Sequence, residues 1–442
     1  MRTRPLARQL LIPVVFALLS ALTTAGCWDL EEVDEIGIIG SMGLDKGEEG
    51  RVIVSLEVIN PGALASGTSG GATVSQVVAV VLRDEANTIA AAISNAQRRL
   101  PRRLTTGQVN TIICGQALAR QGIGAYIDYL VRTADIRGSA LLATCDTGAG
   151  LLQRPYLNPL PSRTLSSLAQ AAIGSGQTVM TTLNEFAVRL TEPGIEPVTM
   201  HTVGRRTKDV QVKRQGEEVE QTEKSISVEQ PVVVGRSIEG ELPDDSPYLQ
   251  PYKEAGTGEL LPAVTIDIGI AAYRDDKLVG LLDDSEARGF LWIDGRLEQS
   301  ALEVPDPTGS GEMMGLKVIR ASSSIKPDLK EGIKFNVEIH VDVEVAQAPL
   351  SLSFKDTRLV SALEDSLRDL IMREALTTLN KVQREFRSDI YGFGYQLYRT
   401  DPRIWQELEP KWNDEVFPNL DIQLDIQTRL RAPGSVYGIG AG

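Results

Sequence analysis

Residues 333–345 read IKFNVEIHVDVEV and give the clearest structural signal in the chain. Every second residue is apolar, and the residues between them are Lys, Asn, Glu, His, Asp and Glu. A period of two is typical of a β-strand that buries one face in a core and turns the other toward water. The stretch therefore predicts a two-faced sheet in the C-terminal part of the protein.

The sequence that follows this strand predicts a helix that covers one face of the sheet. Residues 357–387 carry apolar side chains at helical spacing, and Gly392 and Gly394 come after them. These side chains are Leu359, Leu363, Leu367, Leu370, Met372, Leu379, Val382 and Phe386. Alternating apolar residues at 422–430 predict a last strand. We therefore expect a C-terminal α+β domain over residues 311–442.

Strands and helices alternate in the N-terminal part of the chain, which predicts an α/β domain over residues 27–203. The predicted strands are 36–44, 52–59, 76–82, 109–114 and 139–144, with one helix capped by Asp84 and another over 117–130. The whole chain is thus expected to be α+β or mixed α/β. It would contain two to three small domains with mixed sheets and packed helices.

Two further segments separate these domains. Residues 204–263 are charged, rich in Gln and poor in large apolar residues, so they predict a mobile insertion or linker. Residues 264–270 alternate cleanly, and the polar turn 274–277 returns the chain into a hairpin. We expect residues 264–310 to form a small middle domain.

The start of the sequence has the order of an export signal. Basic residues are followed by an apolar run over 10–22, and small residues then lead to Cys27. A cysteine directly after Ala-Gly is the acceptor that lipoprotein maturation requires, so residues 1–26 are predicted to be a cleaved signal peptide. Cys27 would then carry a diacylglyceryl group on sulfur and an acyl group on nitrogen. The alternative is an ordinary cleaved signal followed by a chance cysteine.

Composition narrows the classes of function. The chain has 442 residues and a net charge of −14. This negative charge argues against binding to nucleic acid and against electrostatic docking on anionic lipid. Only His201 and His340 are available for a histidine-based triad or a multi-histidine metal site, and no P-loop or GxGxxG motif follows a strand. We expect no catalysis, no cofactor and no metal.

Three other features are read as structural. Cys114 and Cys145 lie at the ends of predicted neighbouring strands, where buried free thiols are favoured over a disulfide. The acid pairs 275–276 and 283–284 stand where turns and helix starts favour Asp. The aromatic residues of segment 386–417 are expected to be core, with an exposed subset available for a partner.

Four blocks of the sequence together resemble the Ger(x)C family. The first and second are CWDLEEVDEIGIIGSMGLDK (27–46) and residues 98–142, which include VNTIICGQALARQGIGAYIDYLVRTADIRGSALL. The third is IDIGIAAYRDDKLVGLLDDSEARGFLWIDG (266–295). The fourth is SDIYGFGYQLYRTDPRIWQELEPKWNDEVFPNLDIQLDIQTRLRAPG (388–434). They occur in the family's order and span nearly all of the chain after the signal.

The resemblance implies a non-enzymatic lipoprotein, the C subunit of a nutrient germinant receptor in bacterial endospores. Such a subunit is held by Cys27 at the outer face of the spore's inner membrane. There it works with two integral-membrane receptor subunits, of A- and B-type, in nutrient-triggered germination. A solute-binding lipoprotein that delivers a ligand to a transporter is the alternative. An exported hydrolase is disfavoured, because the GxSxG motif and the histidines of a triad are missing.

Overall fold

A computed structural model describes two β-sheets, and apolar residues of both contribute to one of three hydrophobic clusters. The first sheet has nine strands and the second has four. The residues described are 35–61, 79–152, 160–206, 264–330, 332–349, 354 and 356–432. Cys27, and all of the predicted linker beyond residue 206, lie outside these ranges.

The nine-stranded sheet is mixed. Its strands β1, β5, β6 and β7 run parallel in that order, and antiparallel strands extend it on both sides. The strands are β1 Ile36–Lys46, β2 Val52–Ile59, β3 Ala79–Ala86, β4 Arg103–Thr105, β5 Thr111–Gly115, β6 Leu141–Cys145, β7 Val198–Arg206, β8 Val264–Arg274 and β9 Lys277–Leu282. The mixed α/β class is therefore confirmed.

Helices cover both faces of this sheet. They are α1 Ile89–Gln97, α2 Gln116–Ala119, α3 Gly124–Arg132, α4 Gly148–Leu152, α5 Pro161–Gly174 and α6 Leu183–Thr191. Helices α1, α3 and α6 bury apolar side chains in a large core on one face, whereas α4 and α5 cover a smaller core on the other. Helix α4 comes so close to β1 that a Cβ on Gly43 would collide with the backbone of Gly148.

The second sheet confirms the strand predicted from the period of two. Its strands are β10 Ala301–Pro305, β11 Met313–Asp328, β12 Lys334–Gln347 and β13 Asp421–Ala432, in that order. Phe335, Val337, Ile339, Val341 and Val343 of β12 are at most 1% exposed, while His340 on the opposite face is exposed. One face of β12 is thus core and the other faces solvent, and the strand pairs antiparallel with β11 and parallel with β13.

Four helices belong to this second half of the molecule, and the longest packs on the buried face of the sheet. They are α7 Asp284–Asp294, α8 Thr357–Lys381, α9 Phe393–Thr400 and α10 Pro402–Leu408. Helix α8 buries Leu363, Leu367, Ile371, Ala375 and Leu379 along one stripe. It continues as a π-helical turn, Val382–Phe386, which ends at Arg387 in the left-handed conformation. The predicted long helix is therefore confirmed, with its last turn widened.

Two local predictions in the N-terminal part are wrong. Asp84 does not cap a helix but lies inside β3, where it pairs with Arg99, and the side chain of Thr88 caps α1 instead. The helix predicted over 117–130 is two helices, because Gly122 adopts a positive φ of 117° between them. Local propensity did not reveal the sheet pairing that extends β3 or the break at the glycine between α2 and α3.

The predicted middle segment 264–310 is divided between the two sheets. Strand β8 pairs with β7 over nine residues, from Val198↔Ala272 to Arg206↔Val264, so the β8–β9 hairpin completes the first sheet. Helix α7 and β10 instead join the core of the second half. Pairing to the open edge of β7 satisfies backbone groups that a separate hairpin would leave unpaired. The domain boundaries at 203 and 310 stay predictions.

Candidate functional site at the junction of the two halves

The acid pairs of the sequence, 275–276 and 283–284, each contain an Asp that binds the start of a helix. Asp283 caps α7 in a reciprocal capping box, and Asp276 Oδ2 accepts a hydrogen bond from Gly124 N at 2.9 Å, at the start of α3. Cys27 lies outside the described residues, so the structure leaves its lipidation a prediction. Over the described ranges, no group of His, Cys, Asp and Glu is suited to hold a metal ion.

Cys114 and Cys145 are free and buried, as the sequence favours. They lie on adjacent parallel strands, where Cys114 is opposite Thr144 and Cys145 is opposite Gly115. Burial raises the pKa of the Cys114 thiol to about 12 and that of Cys145 well above its usual value. Both thiols are therefore inert core residues.

A largely buried polar network lies where the N-terminal half meets the C-terminal half. We call it the junction cluster: Glu196, Asp389, Trp412 and Asn413, together with the β8–β9 turn 274–276. Glu196 lies in the connection between α6 and β7, and Asp389 follows the π-helical turn after α8. The cluster thus brings together three regions that are far apart in the sequence.

Asp389 organises the C-terminal side of the cluster. Its side chain is fully buried and accepts hydrogen bonds from the backbone N–H groups of Gly392 (2.9 Å), Phe393 (3.1 Å) and Gly394 (2.7 Å). Trp412 Nε1 donates a fourth bond at 3.0 Å. Burial raises the pKa of Asp389 to about 6, and these four donors act in the opposite direction. The carboxylate fixes the start of α9 and the Trp412 ring in one arrangement.

Glu196 joins the N-terminal side to the rest of the cluster. One carboxylate oxygen accepts from Asp275 N and the other from Asn413 Nδ2, each at 2.6 Å. Its own backbone N–H donates to Asp389 O at 2.9 Å, and Asn413 Oδ1 accepts from Asp389 N at 3.2 Å. Burial raises the pKa of Glu196 to about 7, with the charges of Asp275 and Asp389 contributing in the same direction.

Backbone contacts complete the junction. Tyr395 N donates to Gly194 O at 2.8 Å, and a Cβ on Gly194 would collide with the backbone of Gly394. Gly194 also has a φ of 72°, which favours glycine. The Arg189 guanidinium donates to the carbonyl oxygens of Glu196 (3.4 Å) and Ile390 (3.3 Å). These contacts bring the backbones of the two chain segments into direct contact. A side chain at Gly194 would prevent this approach.

The β8–β9 turn contacts both halves of the molecule. Arg274 pairs with Asp414 at 2.8 Å, while Asp276 contacts the start of α3. Tyr273, just before the turn, is fully buried, and its hydroxyl lies 2.7 Å from Thr144 Oγ1. Ser388 Oγ donates to the carbonyl oxygen of Tyr273. The arrangement fixes geometry, since the carboxylates of Glu196, Asp276 and Asp389 all accept protein N–H donors.

The aromatic segment after α8 divides into core and surface. Phe386, Tyr391, Phe393, Trp405, Trp412 and Phe417 are buried. Tyr395 is half-buried and Tyr398 is 39% exposed, and the Arg399 guanidinium lies 5.9 Å from the centre of the Tyr395 ring. Tyrosine and arginine are enriched in protein interfaces. The predicted exposed subset is therefore Tyr398, with the half-buried Tyr395 on the same helix α9.

Sequence reasoning did not single out Glu196 or Asp389. Their signal was the residues around them: Glu196 lies in EPGIEP (192–197), and Asp389 lies in SDIYGFG (388–394). Glycines and prolines at such density beside one acid indicate a close backbone approach that the acid stabilises. The partner of each acid could not be read from the sequence, since Glu196 and Asn413 are 217 positions apart.

Comparisons with known proteins match both halves. The family model "Spore germination protein N-terminal domain" matches residues 29–201, and "Spore germination B3/ GerAC like, C-terminal" matches residues 268–434. Glu196 lies in the first match, and Asp389, Trp412 and Asn413 lie in the second. The junction cluster therefore joins the two matched regions.

Individual proteins match over nearly the full chain. Spore germination protein KC of Bacillus subtilis (strain 168) is 23% identical over 97% of this chain and 97% of its own length. Spore germination protein B3 of the same organism is 20% identical over 96% and 97%. A solved structure titled "Crystal Structure of the GerBC protein" has a TM-score of 0.50 and 14% identity, covering 91% of this chain and 100% of that chain. At this identity the structural match shows the fold.

We predict that Asp389→Asn lowers the free energy of unfolding by about 1–3 kcal/mol, because an amide nitrogen would face N–H donors that now bind a carboxylate oxygen. Urea unfolding followed by Trp fluorescence measures the change. Asp365→Asn is the matched control: its side chain is 59% exposed, and the change should stay within about 0.5 kcal/mol. Equal effects of the two substitutions would contradict the role given to Asp389.

Proposed function

The chain belongs to the spore germination B3/GerAC-like family, and from that premise we propose that it is the lipid-anchored C subunit of a nutrient germinant receptor. The observation that carries the proposal is the match of both family regions, in order, to the two halves that the junction cluster joins. Full-length similarity to spore germination proteins KC and B3 supports it.

We propose that the subunit acts through protein contacts and not through catalysis. Besides Glu196 and Asp389, two more buried acids are occupied by helix starts: Asp45 accepts from Gly148 N (2.7 Å) and Ala149 N (2.9 Å), and Glu57 accepts from Ser162 N (3.1 Å). Burial raises the pKa of both acids, but each acid fixes a helix on the sheet. These buried acids therefore stabilise the fold.

The proposed partners are the integral-membrane A- and B-type subunits of the receptor. Over the described part of the chain, no helix is both long and apolar enough to cross a membrane. We propose that Cys27 instead anchors the protein at the outer face of the spore's inner membrane. Two acyl chains support stable anchoring, because each buried methylene contributes about 0.8 kcal/mol and one chain alone binds reversibly.

A solute-binding lipoprotein is the weaker proposal. Such a protein would place its ligand in a cleft between two matched doubly wound lobes. The two sheets here differ in size and topology, nine strands against four, and apolar residues of both pack into one cluster where the halves meet. The geometry favours a scaffold for protein contacts.

We predict that Cys27→Ala removes the protein from the membrane fraction or leaves it unprocessed. The substitution deletes the sulfur to which the diacylglyceryl group would be attached. Immunoblots of membrane and soluble fractions from spores of both strains measure it, with Cys114→Ala as a control that changes a thiol elsewhere. Membrane retention of a cleaved Cys27→Ala protein would refute the proposed anchor.

We predict that deletion of the gene abolishes germination by one class of nutrients and leaves sporulation intact. Loss of absorbance and release of dipicolinic acid after addition of single nutrients measure germination. Germination by a nutrient-independent trigger is the control and should be unchanged. Normal germination with every nutrient tested would contradict the proposed function.

A further inference from the structure

A dense group of positive charges lies in the connection between α1 and β4. Residues 98–103 read RRLPRR, and we call them the arginine segment. Arg98, Arg99 and Arg103 are exposed, and Arg102 is half-buried. The chain as a whole has a net charge of −14, so this segment stands out as a local basic surface. Such a surface favours an acidic partner.

The hydrogen bonds of the arginine segment orient its guanidinium groups more than they neutralise them. Arg98 and Arg102 donate to side-chain amide oxygens of two asparagines, at 2.6 Å and 3.1 Å. These acceptors carry no charge. Asp84 faces Arg98 and Arg99 and forms an ion pair with Arg99. One carboxylate thus serves two guanidinium groups, and positive charge is left for a further partner.

The fold places the arginine segment beside the first residues of β1. Strands β1 and β4 pair in parallel with Ile36 opposite Arg103, and β2 lies on the other side of β1. Arg102 reaches across to Asn60, which follows β2, so its side chain spans the beginning of β1. A Cβ on Gly37 would lie 3.8 Å from Arg102 Cβ. The chain that enters β1 therefore comes in along the arginine segment.

The sequence that enters β1 is strongly acidic. Residues 29–35 read DLEEVDE and contain no Lys or Arg. Their acids are Asp29, Glu31, Glu32, Asp34 and Glu35. Opposite charges that are joined by so short a piece of chain meet at a high effective concentration. Charge and chain connectivity therefore both favour this segment as the partner of the arginines.

We propose that residues 29–35, which we call the acidic tether, dock onto the arginine segment through ion pairs. The tether joins Cys27 to β1, so docking gives the N-terminus a fixed exit beside the start of that strand. A lipid on Cys27 then holds the amino ends of β1 and β4 toward the membrane. This orientation rests on the proposed function, whereas the docking itself does not.

Limited proteolysis of the full-length protein in neutral detergent tests the docking. Chymotrypsin cleavage after Trp28 and Leu30 is followed by mass spectrometry and divided by the rate for a free peptide of the same tether sequence. Arg98→Glu/Arg103→Glu should speed this cleavage about tenfold, because each exposed ion pair contributes up to about fivefold to such an equilibrium. Adding Glu32→Lys/Asp34→Lys should restore the wild-type rate, since the swapped charges again attract.

Arg120→Glu/Arg373→Glu is the matched control, because it reverses two other exposed arginines and changes the net charge equally. Its cleavage rate should equal that of the wild type. In the wild type, a change from about 0.1 M to about 1 M NaCl should speed cleavage, since the Debye length falls from about 10 Å to about 3 Å.

A wild-type rate that is independent of salt, or a rate that is the same in Arg98→Glu/Arg103→Glu, would overturn the docking. Cosedimentation with phosphatidylglycerol vesicles separates the other use of these arginines. If the same variant loses vesicle binding while tether cleavage is unchanged, the arginines contact lipid head groups and the proposal is wrong. Failure of Cys27 lipidation would leave the cleavage result intact, so the two proposals fail separately.

Discussion

Buried carboxylates that accept backbone N–H groups are the constraint on which this structure depends. Asp45 and Glu57 fix α4 and α5 on the first sheet, while Asp389 fixes α9 and Trp412 on the second half. A buried charge costs several kcal/mol unless hydrogen bonds compensate it, so each acid demands its donors in one geometry. Glu196 also accepts N–H donors, but its hydrogen bonds join the two halves, and for that reason the halves meet in one arrangement.

Much of the fold could be predicted from local pattern. Strand β12 and helix α8 carry periods of two and 3.6 over more than ten residues, and such long signals survive tertiary context. The division of segment 264–310 between the two sheets could not be predicted. It depends on the pairing of β8 with the edge of β7, and residues 207–263 separate these two strands in the sequence. The prediction of one helix over 117–130 failed for a smaller reason: Gly122, with its positive φ, lies between α2 and α3 and interrupts a continuous helical pattern.

The candidate site was less predictable than the fold. The lipidation site at Cys27 could be predicted, because the export signal and the cysteine that would accept the lipid are adjacent in the sequence. The junction cluster is not, because Glu196, Asp275 and Asn413 come together only after both sheets form. The sequence places glycines and aromatic residues close to Asp389, but only the fold shows that their N–H groups bind its carboxylate. A role in spore germination rests on the family match and on the full-length relatives.

Family membership and geometry together describe an acidic protein of a spore germination family whose two halves are joined by a buried carboxylate network. The most direct measurement is purification of the tagged, full-length protein from detergent-solubilised spore membranes, followed by mass spectrometry of what accompanies it. The account predicts that A- and B-type multi-span receptor subunits are recovered with it in comparable amounts. Recovery of the chain alone, or with a transporter permease in their place, would contradict the account.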